Sequence, residues 1–114
     1  MLSERGRRAL LGIIENVEAA QEFTADLSFE DFAENRLILY GVTRCLEIIS
    51  EASRRVDEEI QIRNAHIPWR QIADSENVYR HRYESVSARL VWGTVHEALP
   101  ELLAVCRNEL QADE

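Results

Sequence analysis

Within the eight residues Glu76-Asn77-Val78-Tyr79-Arg80-His81-Arg82-Tyr83 lies most of the chemistry this sequence offers. His81 carries the one side chain that ordinarily titrates near neutral pH, so it can both take up and return a proton. Arg80 and Arg82 flank it with planar guanidinium forks suited to phosphate or carboxylate. On a helix each of them projects about 100° away from His81, from the 3.6-residue period. Each residue also has a plainer reading. A lone histidine is commonly a surface or packed helical residue without a role. Tyr83 suits a core aromatic whose hydroxyl reaches the surface, and Asn77 suits a helix cap.

Other chemistries find no support. Helical bundles host metal through paired Glu-x-x-His motifs, but Glu76 and His81 are five residues apart and Glu97 directly follows His96. His66 and His96 have no partner at ligand spacing. No metal site is expected, and no cofactor is called for. The sequence contains neither a Gly-rich phosphate loop nor a G-x-S-x-G elbow, so nucleotide hydrolysis and serine hydrolase chemistry are not indicated. Cys45 and Cys106 fall in helical patterns without a CxxC neighbour and read as reduced, buried thiols of a cytoplasmic protein.

Twenty-one acidic residues against thirteen basic ones give a net charge of −8. That balance opposes general affinity for nucleic acid, so action on RNA requires a local basic site or a partner that supplies charge. All thirteen basic residues are arginine, which codon bias explains as well as phosphate binding does.

The 114 residues are read as one domain, 1–114, long enough to bury a core without staples. Six Gly and Pro residues leave little turn chemistry for a sheet. No apolar run reaches the roughly 18 residues of a membrane span, and MLSERGRR lacks the pattern of a signal peptide. Ser3 is placed to cap a first helix reaching about Phe23, with Leu10, Ile14, Val17 and Ala20 on its apolar stripe. Ser28 to Asp31 has the form of a capping box. A second helical region runs from Phe29 to about Val56, interrupted near Asn35, with Ile38, Val42, Cys45, Ile49, Ala52 and Val56 on its core face. Opposite them, Arg44–Glu47 and Glu51–Arg55 sit at ion-pair spacing. Residues 59–67 read as a connection, and Pro68 as the first position of a short helix with Trp69 as a core contact. Asp74, Ser75 and Asn77 cluster cap-forming side chains ahead of Val78 to Tyr83. A last helix starts near Ser85 or Ser87, carries Val91, core Trp92, Val95, Leu99, Leu102, Cys106 and Leu110, and bends where Pro100 cannot bond the His96 carbonyl. The fold class is all-α, an antiparallel helical bundle.

Two segments resemble the HepT-like branch of the HEPN superfamily. Tyr40 to Ala52 looks like its long central helix. Ile67-Pro68-Trp69-Arg70-Gln71-Ile72, then Asn77, His81 and Tyr83, then Val91-Trp92 and Leu99-Pro100, follow the order of its I-P-W-x-x-I turn, Arg-x(4–6)-His-x-Tyr motif and closing helix. The resemblance implies a bundle of HEPN type that forms a homodimer with paired motifs facing a composite cleft. It also implies the toxin side of a toxin–antitoxin pair, a metal-independent endoribonuclease acting on RNA and encoded beside a minimal nucleotidyltransferase antitoxin. By the same resemblance His81 is the motif histidine, Asn77 the polar residue after the motif arginine, and Tyr83 the tyrosine that such an antitoxin can adenylylate. The sequence departs from the pattern at one position: with four intervening residues the motif arginine falls on Glu76. A carboxylate there opposes phosphate binding, and Arg70 lies too far from His81 to replace it. Arg80 and Arg82 remain candidates to reach phosphate across a dimer interface. The alternative reading is a catalytically degenerate scaffold or regulatory module that binds a nucleotidyltransferase without cleaving RNA.

Overall fold

The computed structural model describes residues 1–81 and 87–113, with the backbone alone of Arg80 and His81. Among the described residues all regular structure is helical. Helix α1 (Glu4–Thr24) starts as its sequence demands, with Ser3 Oγ accepting from the Gly6 N–H at 2.9 Å. Ser28 does the same for the Asp31 N–H at the start of α2 (Phe29–Glu34). Asn35 then ends α2 and caps α3 (Arg36–Ser53) by accepting from the Ile38 N–H at 3.0 Å, which accounts for the expected interruption.

The two long helices run antiparallel. At one end the Ser3 hydroxyl donates to Asp57 Oδ1 (2.8 Å); at the other, Phe23 packs beside Gly41. Between these points the expected stripes meet. Leu10, Val17 and Ala20 of the expected α1 stripe are fully buried, joined by Ile13, while Ile14 is half-buried; on α3, Val42, Cys45, Ile49 and Ala52 are buried to within a few per cent and Ile38 is half-buried. Spacing of three and four residues puts each set on one helical face, so burying both faces together removes a continuous apolar surface from water.

The segment 59–67, expected to be a connection, is helical over its first five residues, as part of α4 (Glu58–Arg63). Its one fully buried side chain is Ile60, so a helix this short shows no period to read. A second difference follows at Pro68. The helix behind it, α5 (Trp69–His81), runs for 13 residues and passes straight through Asp74, Ser75 and Asn77. None of these side chains caps a new helix: Ser75 Oγ donates back to the Ile72 carbonyl (2.6 Å), and Asn77 is exposed in mid-helix. Trp69 is buried as expected, its indole N–H donating to the Asn64 carbonyl at 3.0 Å.

Ser87 caps α6 (Ala88–Gly93). The chain then widens into a π turn over Thr94–Ala98 before α7 (Leu99–Ala112). Pro100 lies at the start of α7, and the widened turn is the form taken by the expected bend: the carbonyls just upstream of the proline lose their usual donor and the backbone rearranges around them. Trp92, expected in the core, is half-buried, with Phe32 against one side and His96 against another. Among the described residues no buried side-chain polar atom lacks a partner.

Candidate functional site

Helices α3 and α5 pack closely and leave an open groove of about 390 Å³ between them, lined by Arg44, Glu47, Ile48, Glu51, Arg54 and Glu76. Its geometry begins with Ser50, which is fully buried one turn before the end of α3. The Ser50 hydroxyl donates to the Ala73 carbonyl at 3.0 Å and accepts from the Glu76 N–H at 2.8 Å. One small side chain thus bonds two backbone groups within a single turn of α5. Arg54, four residues further along α3, donates to the same Ala73 carbonyl at 2.7 Å and places a second nitrogen 3.4 Å from Glu76 Oε2. The result is a clasp in which α3 grips residues 73–76 of α5.

Glu76 therefore points towards α3 with only 5% of its side chain exposed, beside an Arg54 side chain that is 43% exposed. The other two carboxylates of the groove are also paired. Glu47 meets Arg44, and Glu51 receives both terminal nitrogens of Arg55. The Arg55 hydrogen bonds, with the nearby charges of Arg55, Arg54 and Arg44, hold the Glu51 carboxyl below its ordinary range. Both pairs expected from spacing are formed.

The sequence-predicted site residues divide into two groups. Asn77 is exposed on α5, and position 81 ends that helix one turn beyond it. Glu76 lies on the buried side, in the α3 groove. Tyr83 and Arg82, and the side chains of Arg80 and His81, lie outside the described residues. The neighbour Tyr79 is 8% exposed; burial pushes its hydroxyl pKa up, against hydrogen bonds to Thr94 and Ser75, so it serves packing between α5 and the π turn. Sequence reasoning missed Ser50 and Arg54. Arg54 follows the Arg44/Glu47/Glu51 pattern by three residues, but nothing in its spacing points to position 76.

The remaining histidines serve locally. His66 Nε2 lies 3.3 Å from Glu101 Oε1, and His96 Nδ1 lies 2.9 Å from the Trp92 carbonyl. Both cysteines are free and buried, with the Cys106 thiol pushed up to about 12 by burial, Glu109 adding to the effect. No helix of the described chain is long and apolar enough to cross a membrane.

An all-helical fold in which a long helix grips the helix ending at position 81 is consistent with the HEPN kind. The chain belongs to the HepT-like family: the family described as "Ribonuclease HepT-like" matches residues 13–109. The relative named "Putative RNase" from Methanocaldococcus jannaschii is 33% identical over 102 residues, 89% of this chain and 94% of the relative. "Probable ribonuclease HepT" from Thermococcus cleftensis is 38% identical over 90 residues, 79% of this chain and 82% of the relative. A "Putative RNase" from Caldanaerobacter subterraneus is 31% identical over 101 residues, 89% and 90% of the two chains. No solved structure matches the chain.

Proposed function

We propose that this protein is the toxin-side component of a toxin–antitoxin pair, a metal-independent endoribonuclease acting at a cleft between two subunits. The observation that carries the reading is the continuity of α5: one unbroken helix, clamped to α3 at residues 73–76, delivers Asn77 and then position 81 from a fixed base. A catalytic histidine needs such a base, because proton transfer depends on sub-ångström placement. Its membership of a ribonuclease family, with relatives named as RNases, supports the same chemistry.

In this mechanism His81 takes the proton from a ribose 2′-hydroxyl as the oxygen attacks the adjacent phosphorus. The P–O5′ bond breaks, and a proton is returned to the leaving 5′ oxygen by the same histidine or its counterpart across the dimer. The products are a 2′,3′-cyclic phosphate and a 5′-hydroxyl. Asn77 supports the phosphate by hydrogen bonding, and Arg80 and Arg82 contribute charge around the cleft. Tyr83 is the site at which a minimal nucleotidyltransferase antitoxin adds AMP and silences the nuclease. The test is incubation of purified protein with cellular RNA in chelator, wild type beside His81→Ala; equal absence of cleavage in both removes the enzyme reading.

The second reading, a non-cleaving HEPN module that binds a nucleotidyltransferase, is favoured by one observation. Glu76 is a built-in member of the α3–α5 clasp, not a surface accident. Glu76→Arg separates the two: toxicity that appears only in this variant identifies the natural chain as the non-nuclease form.

A further inference from the structure

The family's motif places a positive charge at position 76, and this chain carries a carboxylate there. The groove nevertheless contains a guanidinium at the same place. Arg54 reaches from the C-terminal end of α3 to within 3.4 Å of the Glu76 carboxylate. Its exposure is the reverse of its partner's, 43% against 5%, so the cation faces the groove mouth and the carboxylate lies behind it. A guanidinium carries five N–H donors. Arg54 directs one to Glu76 and one to the Ala73 carbonyl, and with 43% of its side chain exposed it keeps further N–H groups for a ligand entering from the groove. The two bonds also fix the fork, so little freedom is lost when a phosphate docks. Glu47 and Glu51, the remaining carboxylates of the lining, are engaged by Arg44 and Arg55. From position 76 to position 81 is five residues of helix, about 7.5 Å of rise and about 140° of turn, so Arg54 stands at the height on α5 that a cation on residue 76 would, on the side facing α3.

We infer that Arg54 is the phosphate-contacting arginine of this protein, the charge having moved from α5 to the facing helix α3, with Glu76 as the counter-ion that holds its guanidinium in place. The inference rests on the ribonuclease reading above, and its test is built so the two can fail separately.

A fluorescent single-stranded RNA with every 2′-hydroxyl methylated cannot be cleaved by 2′ attack, so its binding to the intact protein can be measured at equilibrium across a salt series. Arg54→Gln should weaken binding about tenfold and make the slope of log Kd against log salt shallower by about 0.7, the loss of one single-strand phosphate contact. Arg54→Lys, which keeps the charge but not the fork, should retain the slope and lose less than fivefold. Arg107→Gln, which removes an arginine paired with Glu18 on another face, should leave both quantities unchanged. The exchange Arg54→Glu with Glu76→Arg, returning the cation to α5, should recover binding to within about threefold of wild type. If the natural protein cleaves unmodified RNA while Arg54→Gln leaves affinity and slope as they were, the inference is overturned and the nuclease reading stands. If wild type neither binds nor cleaves, both fall together.

Discussion

Removing the Ser50 hydroxyl tests the clasp that positions α5. The side chain is fully buried and joins the Glu76 N–H (2.8 Å) to the Ala73 carbonyl (3.0 Å). In Ser50→Ala the two groups do not suffer equally. The Ala73 carbonyl keeps its bond from Arg54 at 2.7 Å, whereas the Glu76 N–H keeps only its place in the backbone ladder of α5. A net intramolecular hydrogen bond contributes about 0.5–1.5 kcal/mol. Two are lost with the hydroxyl, and the total is about 1–2 kcal/mol because Ala73 keeps Arg54. With a urea m-value of about 1–3 kcal/mol/M, the midpoint should fall by roughly 0.3–2 M at unchanged slope. Arg54→Met removes the cation beside the buried Glu76 carboxylate as well as a donor to Ala73, so it should cost at least as much as Ser50→Ala. The double variant strips Ala73 of both side-chain donors and leaves it only the backbone ladder of α5, so its loss should exceed the sum of the singles by about 0.5–1 kcal/mol. Urea unfolding followed by far-UV circular dichroism reads all four proteins. Additivity within 0.3 kcal/mol, or a Ser50→Ala midpoint equal to wild type, would refute the shared-carbonyl argument.

Other outcomes follow from the same structure. Phe32 of α2 is fully buried with Trp92 against its ring, so Phe32→Ala should cost about 3–5 kcal/mol in the same unfolding measurement. Glu109 is held below the ordinary carboxylate value of 4.5 by hydrogen bonds from Arg63 and Asn64, and Glu51 likewise by Arg55. A depressed carboxylate stabilises the fold above its unfolded pKa, and that contribution is lost as pH falls through the folded value. Stability should therefore decline below about pH 4.5, and Glu109→Gln with Glu51→Gln should flatten that decline while lowering stability at pH 7. With Cys106 at about 12 and Cys45 also raised by burial, a thiol reagent at pH 8 should label neither cysteine in the folded protein and both in urea.

How much of this was legible in the sequence depended on whether the signal was local. The caps at Ser3 and Ser28 and the stripes of α1 and α3 could be read directly, because each is written in residues three or four apart. Helix α4 was hidden because a six-residue helix with one buried side chain has no period to display. Asp74, Ser75 and Asn77 misled for the opposite reason. They are good capping residues, but burial of Trp69 and Tyr79 around them carries the helix through. Pro100 announced a disturbance without saying that it would spread into a five-residue π turn. At the site, Glu76 was visible as a departure from the motif. Its partner was not: Arg54 lies 22 residues earlier on another helix, and only the packing of α3 against α5 brings the two together.

The central claim is that RNA is cleaved by 2′-hydroxyl attack with His81 moving the proton, and end-group analysis of the products tests it most directly. Purified protein without a partner, incubated with RNA in chelator, should yield fragments ending in 2′,3′-cyclic phosphate and beginning with a 5′-hydroxyl. His81→Ala should lower the rate by at least about a hundredfold, the scale of a lost acid–base group. Fragments carrying 5′-phosphate, cleavage that stops in chelator, or equal behaviour of wild type and His81→Ala would contradict the account.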